Sequence, residues 1–227
     1  MNELYIICIL TISILSLYFT NKYLKSLGLK ITFLVFNILS FILSFKYLIL
    51  STLNFNSNAI TYTTMFSCLC LLLESSNKNT KKDINKIINL GFILNIFSAI
   101  MLYIMSYYTQ SLNDTIGINM TNTFINNYKT LIFYPLSILI SQKLLILIYS
   151  KIKNIYDNIF ISMVTTYLAV GLIESITYMF LTYYNVLEST TIIKLLLSTY
   201  MIRIIVIVIY SLFLTIFNKK KVQKWVI

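Results

Sequence analysis

Long apolar stretches, separated by short polar ones, make up nearly the whole chain. Charged residues are absent from 4–21, from 87–113 and from 204–218. A helix needs about 20 mostly apolar residues to cross a bilayer. The pattern therefore predicts an all-α, polytopic transmembrane helical bundle that forms one domain over residues 1–227. We expect about seven spans, at 4–19, 31–53, 58–73, 87–112, 130–150, 159–184 and 192–217.

The first span is expected to stay in the mature protein. A cleavable signal peptide begins with a positively charged region, whereas Glu3 is the only charge before this span.

Composition excludes several classes of protein. The 227 residues are 58% hydrophobic and only 11% charged, whereas soluble domains are about a quarter charged. Cys8, Cys68 and Cys70 all lie inside predicted spans, which argues against a disulfide framework. The chain has no histidine, which removes Ser-His-Asp and Cys-His catalysis, haem ligation by histidine and most zinc chemistry. We therefore expect neither an enzyme nor a cofactor.

The net charge of +11 is better explained by the orientation of the chain in a membrane than by binding to nucleic acid. The basic residues lie beside apolar spans, and lysines in short loops favour the cytoplasmic face. A seven-span chain with its N-terminus outside and its C-terminus in the cytoplasm places two lysines outside, Lys129 and Lys194. It places thirteen inside: Lys22, Lys25, Lys30, Lys78, Lys81, Lys82, Lys86, Lys151, Lys153, Lys219, Lys220, Lys221 and Lys224. We expect the inner (plasma) membrane, with the lipid bilayer as partner and no nucleic acid.

Five charged residues violate the apolar pattern of the predicted spans: Lys46, Glu74 (at the end of the third span), Lys143, Glu174 and Arg203. Charges inside a membrane are costly and usually face the interior of the bundle. Lys46 and Glu74 could instead reach an interface. The other three either neutralise one another as structural pairs or line a polar cavity, which Gln142 and Asn95 would share. The sequence leaves both interpretations open, and it does not indicate the oligomeric state.

Several short motifs recur in the order found in a known family. These are Glu74 with Asn77 and Lys81-Lys82-Asp83, then Gly91-Phe92 with Asn95, Ser141-Gln142, Gly171-Leu-Ile-Glu174-Ser175, and Thr199-Tyr200-Met-Ile-Arg203. In this order and over nearly the whole chain they resemble the queuosine precursor transporter family, also called the VUT family. The chain departs from the family pattern where Glu74 and Glu174 replace aspartates, where Val170-Gly171 replaces a second Ser-Gln, and at Leu145.

The resemblance implies a six-helix core with an extra N-terminal helix, and the import of a small nucleobase-like substrate. That substrate would be a 7-deazaguanine base, such as 7-cyano-7-deazaguanine or 7-aminomethyl-7-deazaguanine. The implied binding residues are Glu174, Gln142, Arg203, Lys143, Asn95, Glu74 and Lys46. Two alternatives stay open, a divergent homologue with a changed ligand and a non-transporting structural or immunity protein of the membrane.

Overall fold

The computed structural model describes residues 2–50, 53–75, 80–105 and 128–223, with the backbone alone for residues 2, 80 and 217–223. Its helices are α1 (Asn2–Phe19), α2 (Lys25–Leu43), α3 (Ala59–Glu74), α4 (Thr80–Met105), α5 (Tyr128–Ile155), α6 (Ile159–Tyr183) and α7 (Ser189–Gln223). Two short strands, β1 (Tyr47–Leu50) and β2 (Leu53–Asn56), form an antiparallel hairpin between α2 and α3.

Five helices of the described chain are long and apolar enough to cross a membrane, so this is a membrane-spanning helical protein. The predicted helical bundle is confirmed, whereas the number of seven spans stays a prediction. The first of the five is one helical segment from Glu3 to Leu43. It contains α1, a π-helical turn at Thr20–Leu24 and α2. Lys25, which follows this turn, has a φ of 49°, a conformation unusual for a residue other than glycine.

Side-chain hydrogen bonds between helices fix the directions of the core helices. Ser40 and Asn37 of α2 bond to Tyr134 and Gln142 of α5, so residue numbers fall along α2 as they rise along α5. The helix α3 runs with α5, because Asn58 bonds to Tyr134 and Glu74 bonds to Tyr149. The helix α7 runs with α3, because Asn58 bonds to Arg203 and Thr64 bonds to Tyr210. The start of α4 lies toward the end of α5, because Asn85 bonds to Lys143 and later residues of α4 line a groove with the first turns of α5.

The predicted second span, 31–53, is wrong beyond Leu43. The helix ends at Leu43, and the apolar run continues into the strand Tyr47–Leu50 rather than into further helical turns. The hairpin returns the chain into the protein, where Asn56 is fully buried. The amide Nδ2 of Asn56 donates to the Ser44 carbonyl at 2.9 Å, and its backbone N–H donates to Thr199 Oγ1 at 3.1 Å. These bonds satisfy non-helical backbone that lipid would leave unpaired.

The helix α3 occupies the centre of the bundle. Every side chain from Ala59 to Leu72 is buried, so neighbouring helices surround α3 on all sides. Its hydroxyls bond to tyrosines of those helices: Thr63 Oγ1 lies 3.0 Å from the Tyr167 hydroxyl, and Thr64 Oγ1 lies 3.0 Å from the Tyr210 hydroxyl. The polar residues of this short helix are therefore used in packing against its neighbours.

Some of the predicted elements fall outside the described residues. These are part of the loop after α3 (76–79), the end of the fourth predicted span (106–112), most of the following polar loop (113–127) and the last four residues (224–227).

Candidate functional site

A buried ion pair joins α6 to α7. Arg203 Nη1 donates to Glu174 Oε2, and both side chains are shielded almost completely, with exposed fractions of 1% and 0%. The same nitrogen donates to Ser175 Oγ at 3.0 Å. Because Glu174 and Arg203 lie within two of the membrane-spanning helices, each charge is neutralised by the other rather than by water.

The central helix supplies the remaining contacts of Arg203. Arg203 Nη2 donates to Asn58 Oδ1 at 3.2 Å, and its guanidinium carbon lies 4.2 Å from the centre of the Tyr62 ring, a cation–π distance. Asn58 precedes the first residue of α3, and its Nδ2 donates to the Tyr134 hydroxyl of α5 at 3.1 Å. Four helices, α3, α5, α6 and α7, thus meet through one polar cluster.

Each charged partner keeps one polar atom without a protein hydrogen bond. Among the described residues, Glu174 Oε1 and Arg203 Nε are buried and unpartnered. A buried polar atom without a partner costs free energy, and the cost is larger for charged groups. The ion pair therefore offers one acceptor and one donor to any group that reaches it.

A second polar cluster surrounds Gln142 of α5. Its Nε2 donates to Asn37 Oδ1 at 3.2 Å and contacts Met65 Sδ at 3.1 Å. Asn37 Nδ2 donates in turn to the Gly91 carbonyl of α4 at 2.9 Å. Met65 lies three residues after Tyr62 on α3, so the Gln142 cluster and the Arg203 cluster lie about one helical turn apart.

Two other predicted residues, Lys143 and Glu74, have contacts that are separate from the ion pair. Lys143 is half-buried, and its Nζ donates to Asn85 Oδ1 at 2.9 Å. Glu74, at the end of α3, accepts a hydrogen bond from the Tyr149 hydroxyl at 2.6 Å and forms an ion pair with Lys153 at 3.3 Å. Neither residue contacts Glu174 in a described hydrogen bond or ion pair.

The last two predicted residues are also apart from the ion pair. Lys46 is exposed in the turn between α2 and the hairpin, so it lies outside the helices rather than inside a span. Asn95 is fully buried in α4, and neither of its amide atoms has a hydrogen-bond partner in the described part of the chain. The structure thus brings Glu174 and Arg203 into direct contact, with Gln142 nearby, and separates the other four.

Sequence reasoning missed the residues that connect the two clusters. Asn58 and Tyr62 lie near the start of α3. At such a position an asparagine is usually interpreted as a helix cap, and a tyrosine as a residue of the membrane interface. Asn37 is an isolated amide within an apolar helix. Its presence inside a span was a usable signal, because a buried amide needs partners.

An apolar groove of about 680 Å³ lies between α4 and α5. It contains none of the seven predicted residues in its lining, which is Phe92, Ile96, Ala99, Ile100, Tyr103, Tyr128, Leu131, Ile132, Pro135 and Leu136. Its chemistry suits hydrocarbon rather than a nucleobase.

Comparison with known proteins identifies no relative: no family model, no curated protein and no solved structure matches the chain. Within the described residues, no group of three or more histidine, cysteine, aspartate or glutamate side chains could hold a metal ion.

Proposed function

We propose that this protein is a membrane transporter that imports a queuosine precursor, a 7-deazaguanine base. The buried Glu174–Arg203 pair is the observation that carries the proposal. Ionisable groups among membrane-spanning helices are rare and commonly mark the path of a substrate or ion. The unpartnered Glu174 Oε1 and Arg203 Nε are the atoms that a polar ligand would engage first.

The guanine-like edge of a 7-deazaguanine base suits a carboxylate. Two adjacent N–H groups on that edge can donate together to the two oxygens of Glu174. Arg203, in direct contact, supplies the positive charge that balances this carboxylate. Gln142, about one turn away, can both donate and accept, which suits the carbonyl and ring nitrogens of the base.

Substrate binding would require the ion pair to rearrange. Arg203 holds one Glu174 oxygen and is almost fully shielded, so a base could reach that oxygen only after Arg203 moves away from it. Alternating access around a site near the membrane midplane would open the pair to one side at a time.

We propose seven spans in the inner membrane, with the N-terminus outside and the C-terminus in the cytoplasm. The helix Glu3–Leu43 has 41 residues, about 62 Å at the helical rise, which is twice the hydrocarbon thickness. Two crossings that turn near Lys25 would accommodate this length. With that turn, Lys22, Lys25, Lys81, Lys82 and Lys151 all lie at one end of the bundle, as a cytoplasmic face requires.

Uptake of labelled 7-cyano-7-deazaguanine tests the proposal in cells that lack both queuosine synthesis and their own importer. Expression of the protein should restore uptake. Glu174→Gln and Gln142→Ala should each lower uptake at least about tenfold, because each removes a hydrogen bond worth about 1.4 kcal/mol or more. Unchanged uptake in both variants would overturn the proposed site.

A double variant separates loss of the site from loss of the fold. Glu174→Gln with Arg203→Met removes both charges together, which buried pairs often tolerate in stability. We expect this variant to reach the membrane in normal amounts and to import no precursor. Normal uptake would mean that the ion pair takes no part in transport.

The closed geometry of the ion pair favours a second candidate, a non-transporting structural protein of the membrane. In that case the pair would only join α6 and α7. The wild-type protein would then bind neither the precursor nor guanine and adenine in a direct assay in detergent. Binding of another purine, but not of the precursor, would instead identify a transporter with a changed ligand.

A further inference from the structure

Three helix ends that are distant in the sequence meet at one end of the bundle. Asn85, near the start of α4, bonds to Lys143, past the middle of α5, whereas Phe92 to Tyr103 of α4 line a groove with the first turns of α5. The start of α4 therefore lies toward the end of α5. The bonds of Asn37 to Gln142 and of Ser40 to Tyr134 show that α2 and α5 are antiparallel. The start of α2, and with it the junction of α1 and α2, therefore lies at that same end. We call this the basic end.

Exposed lysines are concentrated at the basic end. They are Lys22, Lys25, Lys81, Lys82, Lys86 and Lys151. The acidic residues there are already engaged: Glu74 and Asp157 pair with Lys153, and Asp83 lies 3.8 Å from Lys86. Lys22, Lys25, Lys81, Lys82 and Lys151 form no ion pair with any described acidic residue, so their charges face outward without compensation.

The surroundings of Lys22 resemble a membrane–water boundary. Its Nζ lies 3.2 Å from the Tyr18 hydroxyl and about 5 Å from the ring centres of Tyr18 and Tyr23, at 5.3 and 5.1 Å. Tyrosine favours the level of lipid headgroups, with its ring toward hydrocarbon and its hydroxyl toward water. Lys22 thus has the tyrosine neighbours expected of a residue at the level of the headgroups.

We propose that the basic end is a binding surface for anionic phospholipid headgroups, with the two lysine groups Lys22/Lys25 and Lys81/Lys82 as its main contacts. Clustered lysines immediately outside membrane-spanning helices attract anionic lipids. The partner is the lipid surface rather than a soluble phosphate, because the lysines lie at helix ends and Lys22 is flanked by tyrosines. This inference does not depend on the transport proposal.

The full chain in detergent is titrated with phosphatidylglycerol or phosphatidylcholine, with bound lipid counted by native mass spectrometry and stability followed by thermal unfolding. We expect phosphatidylglycerol to bind preferentially and to raise the melting temperature, and both effects to fall when salt is raised. Equal binding of the two lipids would overturn the proposal.

Two variants with matched charge locate the surface. Lys22→Gln with Lys25→Gln, or Lys81→Gln with Lys82→Gln, should weaken phosphatidylglycerol binding several-fold. The control, Lys46→Gln with Lys194→Gln, removes two charges from the opposite end and should bind like wild type. Equal loss in the control would show general charge attraction and overturn the assignment.

Soluble glycerophosphoglycerol, the headgroup without acyl chains, is added as a competitor. It should not displace phosphatidylglycerol at millimolar concentration. Complete displacement would identify a site for free phosphate esters and would overturn the lipid surface. If one double variant fails to fold, the other double variant, compared with the control, still decides the outcome.

Discussion

Arg203 keeps its charge inside the bundle because four partners replace water. Glu174, Ser175 and Asn58 accept its hydrogen bonds, and the Tyr62 ring lies against its guanidinium plane. Removing both charges of such a pair is often tolerated, whereas removing one leaves the other buried and uncompensated. The two charges should therefore depend strongly on each other for stability.

Arg203→Met should destabilise the protein by about 3–5 kcal/mol, because the Glu174 carboxylate is left without its cation. Adding Glu174→Leu should recover most of this loss. The free energy of unfolding in detergent, followed by circular dichroism, measures both effects, and Lys194→Gln is the exposed control. A double variant less stable than the single one would contradict the expected coupling.

At this scale the sequence identified the two charges but not their surroundings. Glu174 and Arg203 could be predicted because an ionisable residue within an apolar run is costly, and is therefore usually paired or functional. Asn58 and Tyr62 were missed because both types are common at helix ends. The sequence predicts Lys46 inside a span because apolar residues follow it. These residues form a short strand, and a run of so few residues has no periodicity that distinguishes a strand from a helix.

Close contact between α2 and α4 depends on Gly91. A Cβ atom at this position would lie 2.9 Å from Asn37 Nδ2 and 3.3 Å from Phe33 Cε1. Small residues allow membrane helices to approach closely. The absent side chain also leaves the Gly91 carbonyl open to Asn37, which then orients Gln142.

Gly91→Ala should destabilise the protein by about 1–3 kcal/mol through overpacking and should displace Asn37 from Gln142. Adding Asn37→Ala removes the nearest obstructing atom and should restore part of the stability. The comparison of single and double variants by unfolding in detergent tests this. Gly91→Ala with wild-type stability would mean that α2 and α4 have more room than the structure gives them.

At the scale of elements, the apolar pattern predicted most helices well. The predicted third span, 58–73, agrees closely with α3, because Asn58 and Glu74 bound an apolar run. The pattern failed after Leu43, where length alone suggested a longer helix. The hairpin is held by Asn56, Ser44 and Thr199, and such long-range bonds leave no periodic signal in the sequence.

For the whole molecule, the sidedness of the basic end is the property to measure. In a variant without native cysteines, Lys194→Cys should react with a membrane-impermeant maleimide on intact cells. Lys22→Cys and Lys151→Cys should react only after permeabilisation, because both lie at the basic end. Labelling of all three from outside would contradict the proposed orientation.

The same assay counts the crossings of the first helix. If α1 and α2 cross separately, Glu3→Cys reacts from outside and Lys22→Cys from inside. If Glu3–Leu43 crosses only once, Lys22→Cys would lie within the membrane and react from neither side.

The enclosure of α3 has a consequence for how the protein is made. Thr61, Thr63, Thr64 and Ser67 make this segment a poor candidate to enter lipid alone. Its tyrosine partners Tyr167 and Tyr210 are synthesised 104 and 146 residues after the threonines that they contact. We expect the translocon to release α3 into the bilayer only after those later segments emerge. In a variant without native cysteines, Thr63→Cys should react with a water-soluble maleimide when the ribosome-bound chain is halted after Met105, and should no longer react once the complete polypeptide is released.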